Sequence, residues 1–201
     1  MNNGDAGQAG ETELIRRALE GSEAAWEALV RAHQEPVFRF AYLLLGDAEE
    51  AEDAAQEAFI RAYRALERFD LERPLRPWLL SIAANLARNR RRSLGRYLAA
   101  IQRLGQRQAP VPGGSAVEDL SDERLQARLL WQAVRRLDPP SQQVIYLRYF
   151  LDLPVEETAQ ALEVAPGTVK SRTHRAVARL KLIIEREFPG LIPEAGLVTM
   201  K

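Results

Sequence analysis

From Thr168 to Ile184 the chain holds no acidic residue, while Thr168, Lys170, Ser171, Arg172, His174, Arg175 and Arg179 fall on exposed positions of a helix expected from Pro166 to Leu180. Hydroxyls and cations on the first turns of a helix suit entry into the DNA major groove, where they reach base edges and nearby phosphates. The preceding residues supply the means of presenting such a helix. Val155–Leu162 reads as a short helix and Glu163–Ala165 as a turn, with Ala159 small where two helices would cross and Leu162, Val164 and Val169 as the apolar hinge. This is a helix-turn-helix pattern. A merely solvated basic face is the alternative, and the turn together with the local absence of acids favours DNA.

A second basic cluster, Asn85, Arg88, Asn89, Arg90, Arg91, Arg92 and Arg96, follows Trp78 and the loop Arg68–Arg76. Arginine neutralises phosphates, asparagine pairs with base edges and an aromatic ring stacks on an unpaired base, a mixture suited to melted or distorted DNA. A tryptophan near a helix start also serves a core, and an arginine run also suits a helix end. The opposite charge gathers in Asp47, Glu49, Glu50, Glu52, Asp53 and Glu57, with no basic residue between Asp47 and Ile60. Asp53 and Glu57 share a helix face at i, i+4 with Gln56 alongside, an edge on which a basic partner can dock. Carboxylates also bind divalent metals, but no nearby histidine completes a site; the chain has no Cys and only His33 and His174. We therefore expect no metal, no cofactor and no enzymatic constellation.

These residues need helices to position them. Asp47 can cap a helix from about Ala48 to Phe69, whose Ala51, Ala55, Phe59, Tyr63 and Leu66 form one apolar stripe. Before it, Leu14, Ala18, Leu19, Trp26, Leu29, Val30, Val37, Phe38, Ala41, Tyr42 and Leu45 recur at helical spacing; after it, a helix beginning near Pro77 carries Leu79, Ile82, Ala83 and Leu86 and frays near Gly95. Residues 102–118 have the Pro and Gly content of a linker. Beyond them Leu125, Leu129, Ala133 and Leu137 share a face, and Ser141 is placed to cap Gln142–Phe150 after the break at Asp138–Pro140. No segment alternates with period two. The expected fold is all-α, with two small helical domains joined by a flexible linker: a disordered lead-in 1–10, a first domain 11–101, the linker 102–118, a second domain 119–187 and an irregular tail 188–201. Twenty-eight Lys and Arg balance 28 Asp and Glu, so charge distribution rather than net charge must mark any partner. No stretch approaches the ~18 apolar residues of a membrane span, and the polar N-terminus is unlike a signal peptide, so the cytoplasm is the expected location.

Five motifs in this order resemble the bacterial sigma factors of the extracytoplasmic-function (ECF) group, within the sigma-70 family. EALVRAHQEPVFRFAYL from Glu27 looks like region 2.1 of that family, EDAAQEAFIRAY from Glu52 like region 2.2, and RPWLLSIAANLARNRRR from Arg76 like the entry into regions 2.3 and 2.4. LDPPSQQVIYLRY from Leu137 and GTVKSRTHRA from Gly167 resemble region 4. Pro154 and Glu163 depart from the family pattern, standing where a capping Ser or Thr and a turn Gly are frequent.

The resemblance implies a polymerase specificity subunit that binds core RNA polymerase, recognises the minus-ten and minus-thirty-five promoter elements and assists melting. By family analogy Asp53, Gln56 and Glu57 contact the clamp helices of the largest polymerase subunit, and the second domain meets the flap of the second-largest. Arg68, Arg73, Arg76, Trp78, Asn85, Arg88, Asn89 and Arg92 would engage the minus-ten element, capturing a flipped base. The helix from Pro166, with Thr168, Lys170, Ser171, Arg172, His174, Arg175 and Arg179, would read the minus-thirty-five element. An anti-sigma protein is a further implied partner. Two other readings compete. A stand-alone helix-turn-helix regulator leaves the acidic edge and the Asn- and Arg-bearing helix unexplained, and an enzyme acting on nucleic acid through the Asp47–Glu57 carboxylates predicts divalent-metal dependence.

Overall fold

The computed structural model describes residues 3–103 and 122–191, and the described residues are helical, without strands. The first set comprises α1 (Asn3–Leu19), α2 (Glu23–Leu45), α3 (Ala48–Ala65), a 3₁₀ turn at Leu66–Arg68 and α4 (Leu75–Arg103). The second comprises α5 (Asp122–Arg135), α6 (Pro139–Ile145), a π-helical turn at Tyr146–Phe150, α7 (Val155–Leu162), α8 (Pro166–Glu187) and a 3₁₀ turn at Pro189–Leu191.

Local chemistry sets most of these boundaries. Gly46 ends α2 in the left-handed conformation (φ 79°), donating its N–H to Tyr42 O, and Asp47 at once caps α3 by accepting from Glu50 N at 2.9 Å. Two adjacent residues thus reverse the chain. α2 buries Ala25, Leu29, His33, Val37, Phe40, Ala41 and Leu44 at helical spacing, and α3 answers with Ala51, Ala54, Ala55, Ala58, Phe59 and Ala62. So many alanines on one stripe let α2, α3 and α4 approach closely. α4 adds Leu75, Leu79, Leu80, Ala83, Ala84, Leu86 and Ala87 to the same core. Each fully buried leucine contributes about 1.5–3 kcal/mol relative to exposure.

Several boundaries differ from those read off the sequence. α1 begins at Asn3, inside the segment expected to be disordered. α3 stops at Ala65 and tightens into the 3₁₀ turn rather than continuing to Phe69. α4 starts two residues before Pro77, whose missing N–H falls among the first-turn donors that have no intrahelical partner, and it runs past Gly95 to Arg103. The start of α4 is held from a distance: Glu11 Oε2 accepts from Leu75 N at 3.2 Å while Glu11 Oε1 lies 2.8 Å from His33 Nε2. α6 begins at Pro139, not after a Ser141 cap. Buried Gln142 instead donates its amide to Arg135 O and Leu137 O, closing the end of α5. The helix expected from Gln142 to Phe150 is therefore divided, α-helical to Ile145 and π-helical beyond. α8 extends past Leu180 to Glu187. Residues 1–2 of the lead-in, 104–118 of the expected linker and 192–201 of the tail lie outside the described residues.

The two sets pack together and their buried side chains form one continuous apolar cluster. α7 lies against α4, and the π turn touches α2. Arg76 Nη2 donates to Leu151 O at 2.8 Å across this junction. An aromatic series also crosses it: Phe38 and Tyr42 from α2, Trp131 from α5, then Tyr146 and Phe150, with successive centroids 6.2, 6.3, 5.6 and 5.8 Å apart.

Candidate nucleic-acid and protein interfaces

The acidic edge forms because the alanine stripe of α3 faces inward and its carboxylates cannot. Asp53 and Gln56 are exposed and Glu57 is half-buried, accepting from Arg61 Nε at 2.7 Å. Asp53, Gln56 and Glu57 line one open groove together with Ile60, Asn89 and Arg90. Two residues there take parts that the sequence reading did not give them, Ile60 having none and Arg90 standing only among the arginines of the basic cluster. Ile60 is 46% exposed, an apolar centre in a charged rim. Arg90 reaches from α4 to α3, donating Nη1 to both Glu50 O and Glu50 Oε2 at 2.8 Å, with Nη2 3.8 Å from Asp53 Oδ2. It locks the acidic helix onto the basic one. A single off-stripe isoleucine and one arginine in a run of them carry no pattern by which a sequence reader could choose them.

The minus-ten candidates are spread along the turn and α4. Arg68 is exposed in the 3₁₀ turn, and Arg73 pairs with Asp70 at 3.2 Å. Trp78 packs on Phe69 with centroids 4.8 Å apart and is half-buried, so one part of the ring belongs to the core. Arg76 is turned toward Leu151 O, with Nε buried and unpartnered. Asn85, Arg88, Asn89 and Arg92 recur at i, i+3, i+4 and i+7, which places them on one side of α4. Asn85 is half-buried there and the other three are exposed. Within that band Asn89 flanks the acidic groove, whereas Arg88 and Arg92 flank a cleft shared with Arg172 of the second set.

The helix-turn-helix is formed as expected from α7, a tight turn and α8. Glu163 turns the chain at φ 55°, ψ 44°, its N–H directed to Ala159 O and Gln160 O, and Val164 N donates to Ala159 O at 3.0 Å. Ala159 and Thr158 are buried, and Thr158 Oγ1 satisfies itself on Pro154 O at 2.8 Å. Val169 and Ala176 anchor α8 in the core. Lys170, Ser171, His174, Arg175 and Arg179 are thereby exposed, with Thr168 and Arg172 half-buried. Ser171 Oγ donates to Thr168 O and Arg175 Nε to Ser171 O, so both side chains run along the helix surface. At the junction Tyr146 is buried, and burial pushes its phenol up to about 12 against the opposing pull of Arg135 and Arg91.

Comparison with known proteins agrees with this arrangement. The family "Sigma-70 region 2" matches residues 29–97 and "Sigma-70, region 4" matches residues 127–180. The chain is 32% identical over 173 residues to the ECF RNA polymerase sigma factor SigW of Bacillus subtilis, covering 83% of this chain and 92% of that protein. It is 32% identical over 194 residues to the RNA polymerase sigma-H factor of Pseudomonas aeruginosa, covering 94% and 98%. Among solved structures, CnrH in complex with the cytosolic domain of CnrY aligns with a TM-score of 0.66 at 23% identity, over 89% of this chain and 99% of that one. The sigma factor RpoE of Bartonella quintana, in complex with the anti-sigma factor NepR, aligns at 0.63 and 23%, over 80% and 97%. The two-part helical fold, the helix-turn-helix and the near full-length relatives together make this chain an RNA polymerase sigma factor of the ECF group in the sigma-70 family.

Proposed function

We propose that α3 and α4 divide the work of initiation between two adjoining surfaces of one helix pair, with Asn89 where they meet. Asp53, Gln56 and Glu57, centred on exposed Ile60, dock on the basic clamp helices of core polymerase. Arg68, Arg73, Trp78, Asn85, Arg88, Asn89 and Arg92 then engage the minus-ten element, and Arg76 joins them once it leaves Leu151. The observation that carries this reading is the Arg90 bridge from α4 to Glu50 and Asp53, which fixes the protein-docking edge relative to the DNA-facing helix. Opening a base pair costs a few kcal/mol, and stacking of the freed base contributes about 1–3 kcal/mol in return, so melting needs no catalytic group or cofactor.

The second set reads the minus-thirty-five element through Thr168, Lys170, Ser171, Arg172, His174, Arg175 and Arg179, with the polymerase flap as its protein contact. Tethering two moderate contacts raises the effective concentration of the second once the first is made. An anti-sigma protein is the expected regulator, since one solved structural relative, RpoE of Bartonella quintana, is in complex with the anti-sigma factor NepR. The protein acts in the cytoplasm and is not an enzyme. Co-elution with core RNA polymerase tests the docking assignment: Asp53→Ala and Glu57→Ala should each reduce it while circular dichroism stays unchanged. Undiminished co-elution of the double variant would reject the acidic edge as the docking surface.

A further inference from the structure

Where α4 meets the second set there is a cleft of about 610 Å³, within the ~300–1,000 Å³ of small-molecule sites. Arg88, Arg91 and Arg92 enter it from α4, Arg172 from α8 and Gln143 from α6. Leu44, Leu162 and Val164 supply apolar wall. No carboxylate is present among the described residues that line it. Among the described residues none of the four guanidinium groups is paired with an acid, whereas adjacent Arg90 is held by Glu50 and Asp53. Four cations facing one cleft repel one another as the two sets close, and a shared anion reverses the sign of that interaction.

We propose that this cleft binds a condensed phosphate, free or as a nucleoside polyphosphate, which bridges the arginines of α4 to Arg172. Guanidinium groups bind phosphate oxygens in a bidentate fork, and a chain of phosphates matches several of them at once where a single phosphate does not. Leu44, Leu162 and Val164 offer apolar surface against which the base of a nucleotide could lie. Because the site needs both helical sets, the ligand stabilises their closed arrangement by mass action. One consequence rests on the functional reading above: Arg88, Arg92 and Arg172 belong to the promoter-binding sets, so the ligand and promoter DNA compete. The binding itself does not depend on that reading.

The test is calorimetric titration of the full chain with ATP, tripolyphosphate and inorganic phosphate at constant ionic strength. One equivalent of ATP or tripolyphosphate should bind, with inorganic phosphate much weaker. Arg91→Ala and Arg172→Ala should each weaken binding about tenfold, as for loss of one charge-assisted hydrogen bond, whereas Arg175→Ala, on exposed α8 surface outside the lining, should not. ATP binding more tightly than tripolyphosphate makes the nucleotide the ligand; equal affinity makes it the phosphate chain. No binding, binding indifferent to Arg172→Ala, or equal weakening by Arg175→Ala would overturn the proposal, the last by showing attraction to basic surface in general. Co-elution of core polymerase through Asp53 is unaffected by any of these results, so the two readings fail separately.

Discussion

Tyr42 of α2 stacks on Trp131 of α5 with ring centroids 6.3 Å apart and planes 13° from parallel, joining two helices 89 positions apart in the chain. This pair is the step at which the aromatic series crosses between the two helical sets, beside the packing of α7 on α4. Such a pair is worth about 0.5–1.5 kcal/mol beyond its buried area. Tyr42→Ala should therefore loosen the junction without unfolding either set. Small-angle X-ray scattering should show a larger radius of gyration for the variant at unchanged helical content; an identical scattering profile would remove the ring pair from the account of closure.

Gly46 is required by its backbone, since its φ of 79° disfavours any side chain; a Cβ there would also meet the Arg135 guanidinium, the far end of a flexible side chain that can move aside at the expense of its place 5.9 Å from the Trp131 ring centroid. Gly46→Ala should cost about 1–2 kcal/mol from backbone strain alone. Adding Arg135→Ala should recover only the part due to collision. Urea midpoints of the three variants and the parent chain separate the two contributions, and an unchanged midpoint for Gly46→Ala would contradict both.

Glu163 is the reverse case, a side-chain-bearing residue at φ 55° in the turn before α8. Glycine adopts that conformation without the Cβ penalty, and this gain exceeds the entropy it adds to the unfolded chain. Glu163→Gly should stabilise the helix-turn-helix by about 0.5–1 kcal/mol. Thermal unfolding followed at 222 nm reads the difference, and a lower midpoint would show that the carboxylate has a partner in solution that outweighs the strain.

Glu11 makes stability depend on pH. Burial acts to raise its carboxyl, but the His33 hydrogen bond, the Leu75 N–H and the charge of His33 outweigh that effect and hold it below the ordinary carboxylate value. A carboxyl lowered in the folded state stabilises the fold above its unfolded value and ceases to do so as pH falls through the folded one. Glu11→Ala should cost about 2 kcal/mol near neutrality. That gap should narrow below about pH 4.5 as the parent chain protonates. A difference that stays constant from pH 7 to pH 3 would show that the interaction is packing rather than charge.

What the sequence made legible was local. The Asp47 cap, the two helices around Glu163 and the stripe of α3 follow from spacing and residue type within a few turns, and the structure forms them with one exception: Tyr63, expected in the buried stripe, is 49% exposed and packs its ring on Trp26 at the edge of the core. The acidic edge was visible for the same reason, since charges excluded from a buried stripe must face outward. Contacts between distant residues were not legible. Glu11 reaches Leu75 across 64 positions, and Tyr42 meets Trp131, because the tertiary fold brings them together rather than any periodicity. Arg76 shows the same limit: its type suits a phosphate, yet in this arrangement its guanidinium serves Leu151 O. The π turn at Tyr146–Phe150 replaces an expected α-helix where Tyr146 and Leu147 are fully buried.

Direction of polymerase to promoters through the Asp53 edge is tested most directly by run-off transcription with cognate core RNA polymerase on fragments of the source genome, with and without the protein, using the parent chain and Asp53→Ala. Discrete transcripts that require the protein and fall sharply with Asp53→Ala, at unchanged folding, are the predicted result. Protein-dependent transcripts of equal strength from Asp53→Ala would contradict the docking assignment, and no transcripts from folded protein free of inhibitor would contradict its promoter-directing role.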